Sequence, residues 1–222
     1  MTLAIKKQGS YAVGGTIITN EGTFDGKDQM NPQGQSLHGD HARVSFQIPE
    51  NVKGLPILMW HGWWEDSSSW DTTSDGRDGF KTIFAEKGFP VYLIDQARRG
   101  SAGKTTVATP INTTPNEQWF FNQFRLGTWP DFFDNVQFSR EPEALNQFFR
   151  AMVPDTGSIE SDLLVAGTSA AVDSIGDTIL MTHSHAEALA GLLPWQTTKL
   201  KRSSHLNPAL DLSSQKTKPL KP

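Results

Sequence analysis

Short unbroken apolar runs, each ending in a polar turn, set the rhythm of this chain. Leu55-Pro56-Ile57-Leu58-Met59-Trp60 is the first and leads straight into His61-Gly62. Val91-Tyr92-Leu93-Ile94 is the second and ends at Asp95. Thr178-Ile179-Leu180-Met181 is the third and leads into Thr182-His183-Ser184-His185-Ala186. Runs of this length, rich in aliphatic residues, predict strands buried on both faces, as in a parallel sheet. Residues 42–48 alternate apolar and polar and stop at Pro49, which predicts a half-buried strand. Between the first two runs, residues 75–87 carry Phe80, Ile83 and Phe84 at helical spacing, with Gly88 and Pro90 as stop signals. Strand, helix and strand joined by short links predict a βαβ unit and an α/β fold. Further helices are predicted over 141–152, 160–174 and 187–193. Residues 10–22 predict a Gly-rich hairpin about Gly14-Gly15, and residues 23–41 a loop.

Two regions break the rhythm. Within residues 105–160, Trp119, Phe120, Phe121, Phe124, Trp129, Phe132 and Phe133 crowd together after a polar stretch. Such aromatic density predicts a lid-like insertion that folds over something. From Lys199 to Pro222 there are six basic residues and one acid, Asp211, in a chain whose overall charge is −4. With neither a strand nor a helical period, 199–222 is expected to be a disordered basic tail after a domain spanning 1–198.

Composition narrows the function classes. The 222 residues suit one domain, and 13 Phe with 7 Trp supply its core. The charge gives no basic footprint for nucleic acid, and no apolar run is long enough to span a membrane. Lys6 and Lys7 are not followed by an apolar stretch, so no signal peptide is expected and the cytoplasm is the default location. The absence of cysteine removes disulfides, thiolate catalysis and Cys-based zinc sites.

The chemistry concentrates at three strand ends. Ser184 stands between a buried strand and a helix, where a nucleophile elbow holds a serine on a tight turn beside the next backbone N–H. Ala186 is small, as the elbow requires, while Thr182 stands where a glycine is usual. The competing reading is an ordinary serine capping a helix. After the first strand, Trp60-His61-Gly62-Trp63-Trp64 offers the Trp63 backbone N–H as a second oxyanion donor, with His61 and Gly62 supporting the loop. The Trp63 and Trp64 side chains read equally well as core or pocket aromatics. After the second strand, Asp95 is expected to order its loop, and Arg98 or Arg99 to pair with a carboxylate. His38 and His41 flank Asp40 in a polar segment; zinc is conceivable there, but solvated histidines are the expectation, and no metal or cofactor is predicted. His183 and His185 point away from Ser184 on a tight turn, so neither is expected to be its base.

Taken as a set, Gly9-Ser10-Tyr11-Ala12-Val13-Gly14-Gly15, residues 57–62, Trp70-Asp71-Thr72-Thr73-Ser74-Asp75-Gly76-Arg77, residues 88–100 and residues 179–184 resemble the α/β-hydrolase family. The similar branch includes the bacterial esterase with a Cys-Cys pair in its oxyanion loop. The resemblance implies an α/β-hydrolase fold with a mainly parallel sheet and helices on both faces. It also implies an acyl-serine mechanism on a small-molecule ester, with Ser184 as nucleophile and the Trp63 and His185 amides as oxyanion hole. A Glu and a distant His would complete the triad. Trp63-Trp64 replaces the Cys pair, so that disulfide is absent.

The family's order is Ser, acid, His. After Ser184 the acids are Glu187 and Asp211, and the one histidine beyond the elbow is His205. An incomplete sheet and an impaired, truncated hydrolase are therefore expected. In a shifted reading frame, codons for residues 201–209 are compatible with a strand ending Ser-Phe-Glu-Pro-Gly, where the family's triad acid stands; the coding DNA beyond Leu200 decides. Two rival readings are a non-catalytic protein that holds an apolar ligand on this scaffold, and a hydrolase using His205 or a partner's histidine. Oligomeric state is left open.

Overall fold

The computed structural model describes residues 3–111, 113–193 and 197–206. Its main sheet is built from β1 (Ile5–Val13), β4 (Ala42–Pro49), β5 (Ile57–Trp60), β6 (Val91–Asp95), β9 (Thr178–His183) and β10 (Leu200–Leu206), in the order β1-β4-β6-β5-β9-β10. β6, β5, β9 and β10 run parallel, whereas β4 and β1 are antiparallel additions at one side. The three apolar runs become the three central strands.

Alternation along those strands divides the core in two. Leu58, Trp60, Ile94 and Leu180 face one side, where they meet Leu164, Val165 and Val172 of α4 (Ser161–Ile175) and Ala186 and Ala190 of α5 (Ala186–Ala190). Ile57, Met59, Val91, Leu93 and Met181 face the other side, packing with Trp70 and with Phe84 and Ala85 of α1 (Phe80–Glu86). Both faces are thus covered by helices, as a parallel sheet requires because its strands bury side chains on either side. This is the α/β-hydrolase architecture. The described helices include none long and apolar enough to cross a membrane.

Between β6 and α4 the chain builds α2 (Glu117–Gln123), a two-stranded ribbon of β7 (Gly127–Thr128) and β8 (Asp131–Phe132), and α3 (Pro142–Arg150). Aromatic edges hold this insertion together. The Phe121 ring meets Phe132 at 4.8 Å and Trp129 at 5.3 Å between centroids, and Phe124 meets Phe148 at 6.0 Å. Edge-on ring packing of this kind adds to the area buried.

Two sequence expectations are corrected. Residues 10–22 do not close a hairpin: β1 pairs with β4, and β2 (Thr16–Thr19) pairs with β3 (Ser36–Gly39), which lies inside the expected loop. Gly14 and Gly15, at φ of 63° and 92°, let the chain leave one sheet and enter another. The second correction is at the C-terminal side. Leu200–Leu206 is not patternless coil but strand β10, parallel to β9. Without it β9 would end the sheet with a row of unpaired backbone N–H and C=O groups. Those groups accept any extended neighbour, so a polar Lys-Arg-Ser-Ser sequence pairs without an apolar pattern. Residues 207–222 of the expected tail lie outside the described residues.

Candidate active site

The three central strands end together, and their following loops form the site. β9 stops at His183, Ser184 turns, and α5 begins two residues later. Ser184 holds φ at 58°, in the left-handed region that residues with a Cβ avoid. Such a conformation costs about 1–3 kcal/mol and persists only when its surroundings impose it. Here β9 is locked between β5 and β10, and Ala186 is fully buried beneath the turn. Thr182, in place of the usual glycine, is accommodated as a fully buried strand residue opposite Trp60.

The loop after β5 is tied down at every step. Trp60 donates its indole N–H to Gln96 Oε1 at 3.0 Å, joining the ends of β5 and β6. His61 is fully buried, with Nδ1 2.9 Å from the Gly62 carbonyl and Nε2 facing the Gln96 N–H at 3.4 Å. Donation from Nδ1 leaves Nε2 to accept, so one neutral tautomer satisfies both contacts. Burial drives the His61 pKa down, and the Arg99 charge adds to that push against the opposing Gly62 hydrogen bond. His61 thus links the loop after β5 to the end of β6.

Glu65 is a functional residue that sequence reasoning missed. Its Oε2 accepts the Gly62 N–H at 2.8 Å and meets His183 Nδ1 at 2.9 Å. One carboxylate thus clamps the loop bearing Trp63 to the residue before Ser184. Burial raises the Glu65 pKa, but the His183 hydrogen bond and charge and the Gly62 N–H outweigh it, leaving a net lowering. Burial lowers the His183 pKa, and the Glu65 bond and charge reverse that to a net rise. The available signal was a pair of acids, Glu65 and Asp66, directly after the paired tryptophans, and nothing local identified which of them would clamp the loop or what its partner would be. Gly62 is compelled by the same clamp: a Cβ there would lie 2.7 Å from His183 Nδ1 and 2.8 Å from Glu65 Oε2. Gly62→Ala is accordingly expected to break the Glu65–His183 contact and cost about 2–4 kcal/mol. A urea unfolding curve checks this; a loss under about 0.5 kcal/mol would show that the clamp is loose.

Arg99 completes the frame. It is fully buried, donates to Asp155 at 2.6 Å, and reaches the Gly62 and Glu65 carbonyls at 3.3 and 3.5 Å. The expected partner carboxylate is therefore Asp155, contributed by the stretch between α3 and α4. Arg98 pairs with Asp40 at 2.8 Å and Glu160 at 2.7 Å. Burial raises the Asp40 pKa, but Arg98, Thr106 and Thr105 bring it down to about 2. Asp40 thus serves as a structural anion between His38 and His41. Among the described residues no group of three His, Asp or Glu side chains could hold a metal ion. Asp95 orders its loop as predicted, accepting the Ser67 N–H at 2.7 Å and the Ser101 N–H at 2.8 Å.

Ser184 opens into a pocket of about 260 Å³ that it shares with Trp63, Trp64, Trp119, Phe124, His185 and Glu187. The sequence-predicted nucleophile and both oxyanion donors are therefore brought to one cavity. The Trp63 and Trp64 rings stack at 6.2 Å, and the Trp63 ring lies 5.9 Å from that of His185. Burial, with the nearby Arg99 and His183 charges adding to it, depresses the His185 pKa to about 3, so its imidazole is neutral at physiological pH. Among the described residues no imidazole is hydrogen-bonded to the Ser184 hydroxyl. His205, whose backbone pairs with Thr182 in β10, has a side chain outside the described set.

No family model matches the sequence. A novel bacterial esterase of known structure superposes with a TM-score of 0.76 at 27% identity, covering 91% of this chain and 68% of its own. A probable secreted lipase of Fungal sp. (strain ATCC 74256) is 28% identical over 159 residues. That match takes in 64% of this chain but only 42% of the lipase's length. The strand order is that of the α/β-hydrolase fold, and by these likenesses the chain is similar to an esterase and a lipase of which it spans 68% and 42%.

Proposed function

We propose that the chain is a serine ester hydrolase module, with Ser184 as nucleophile and the Trp63 and His185 backbone N–H groups as oxyanion donors. Ser184 Oγ bonds to the ester carbonyl carbon, and the carbonyl oxygen takes up negative charge between the two amides. The carbon–oxygen bond to the alcohol then breaks as the departing oxygen takes up, through solvent, the proton that Ser184 has released, leaving an acyl-serine for water to open. The observation that carries the reading is the Ser184 φ of 58° at the junction of β9 and α5, facing the pocket shared with Trp63. A helix-capping serine has no need of that strain, because cap residues take the extended conformation.

Turnover is expected to be slow in the chain as described. His61 is committed to Gly62 and Gln96, His183 to Glu65, and neither is hydrogen-bonded to Ser184. With no base placed at Ser184 among the described residues, residual acceleration comes from the oxyanion donors and substrate binding, about 10³–10⁴-fold over water in serine hydrolases stripped of their triad. A fluorophosphonate probe tests the assignment, since phosphorus bonds to Oγ as fluoride leaves. Wild type is expected to label at Ser184, identified by peptide mass, and Ser184→Ala to lose all labelling. Ligand binding in a folded protein that never labels would instead favour a non-catalytic apolar-ligand carrier. Loss of the residual rate in His205→Ala would mark His205 as the base.

A further inference from the structure

The pocket beside Ser184 pairs an aromatic wall with polar atoms that have no partner. Trp63 and Trp119 are each 46% exposed despite their size, and both line the cavity with Trp64 and Phe124. Glu187 lines it too, and its Oε2 is buried with no hydrogen-bond partner among the described residues. An unpaired buried carboxylate oxygen is costly, since it has lost water and gained nothing. Resting on the Ser184 reading, we infer that the substrate is an ester bearing a quaternary or fully alkylated ammonium group, which this pocket receives between its indole rings and Glu187.

The chemistry selects that class over its neighbours. Indole faces attract cations through their quadrupole, most strongly when the cation sheds water easily. Alkylated ammonium groups do so because they donate no hydrogen bonds. A primary ammonium holds its water more tightly, so although Gln123, Ser184, His185 and Glu187 all offer acceptors, the exposed indole area of the wall favours the guest that sheds water most easily. The other charges nearby do not repel such a guest: Arg99 is neutralised by Asp155, His183 by Glu65, and His185 is uncharged. At about 260 Å³ the cavity lies below the roughly 300–1,000 Å³ of drug-sized sites, which favours a compact head group over a long acyl chain.

The test uses the full chain and its own tryptophan fluorescence, with choline as the cation and 3,3-dimethyl-1-butanol as its uncharged isostere. Choline is expected to bind at least about tenfold more tightly. Glu187→Gln should remove most of that preference while leaving affinity for the neutral alcohol. Should Glu187→Gln fail to fold, Trp119→Ala serves in its place and should weaken choline more than the alcohol. Equal or tighter binding of the alcohol, an unchanged preference in the folded variant, or no binding of either ligand by fluorescence and ligand-observed NMR would overturn the inference. Binding needs no chemistry at Ser184. Selective choline binding without fluorophosphonate labelling would thus sink the hydrolase reading alone, and labelling without choline selectivity would sink this one alone.

Discussion

Arg99→Met is expected to destabilise the protein by about 3–5 kcal/mol, the range for breaking a buried ion pair from one side. The methionine fills the space of the aliphatic stem but leaves Asp155, with a side chain only 13% exposed, facing no cation. It also strips the Gly62 and Glu65 carbonyls of their shared donor. For a chain of this length that loss lowers Tm by roughly 6–20 °C. Lysine should rescue little, because a point charge cannot reach Asp155 and two carbonyls at once as the planar guanidinium does. Calorimetry of Arg99→Met, Asp155→Asn and the double variant separates the pair from its parts. If Arg99 acts through Asp155, the double variant should be far less destabilised than the sum of the singles. Additive losses, or a Tm drop under about 3 °C, would mean that the arginine is a bystander to the loop. Fluorophosphonate labelling should slow in parallel, because Trp64, held at a φ of 62°, and Trp63 before it depend on that anchoring.

How much of this was legible in the sequence follows from how far apart the interacting groups lie. β5, β6 and β9 declare themselves because each is buried on both faces, so its residues are apolar without interruption. The strand–turn–helix about Ser184 is legible for a related reason: Ser184 stands shortly after such a run, and a small Ala186 opens the helix behind it. β10 is invisible because its place is set by the open edge of β9 and not by its own side chains. The β1–β4 pairing is hidden by Gly14-Gly15, which imitates a local hairpin while steering the chain elsewhere. Glu65 is the instructive omission. Its partners are Gly62, three residues away, and His183, 118 residues away, and only the converging ends of β5 and β9 bring them together. The sequence predicts a carboxylate partner for Arg98 or Arg99, but which one depends on the path of the insertion, and aromatic content alone does not specify that path.

Glu65→Gln should reveal the clamp through a pH-dependent loss of stability. The amide oxygen can still accept from both Gly62 and His183, but it carries no charge to hold the imidazolium. Hydrogen bonds to charged groups contribute about 1.5–3 kcal/mol, and both side chains are mostly buried, at 26% and 15% exposure, so solvent screening is modest. The sign follows from the two shifts. Glu65 lies below its ordinary 4.5 in the folded protein, so its contribution is present above that value and fades as pH falls through the lowered one. His183 lies above its ordinary 6.5, so its contribution is complete below that value and fades as pH rises through the raised one. The difference between wild type and Glu65→Gln is therefore greatest between about pH 4.5 and 6.5 and shrinks on either side. Each protein alone has a further trend. His185, held at about 3, and His61 both resist protonation, so acid below pH 6.5 favours the unfolded chain, where they titrate freely. Because that trend is common to both proteins, subtracting one stability curve from the other removes most of it. Urea unfolding at pH 5.5 and pH 8.5 is sufficient. A larger wild-type advantage at pH 5.5 is the expected result, and an equal advantage at both would mean that His183 never carries the proton the clamp requires.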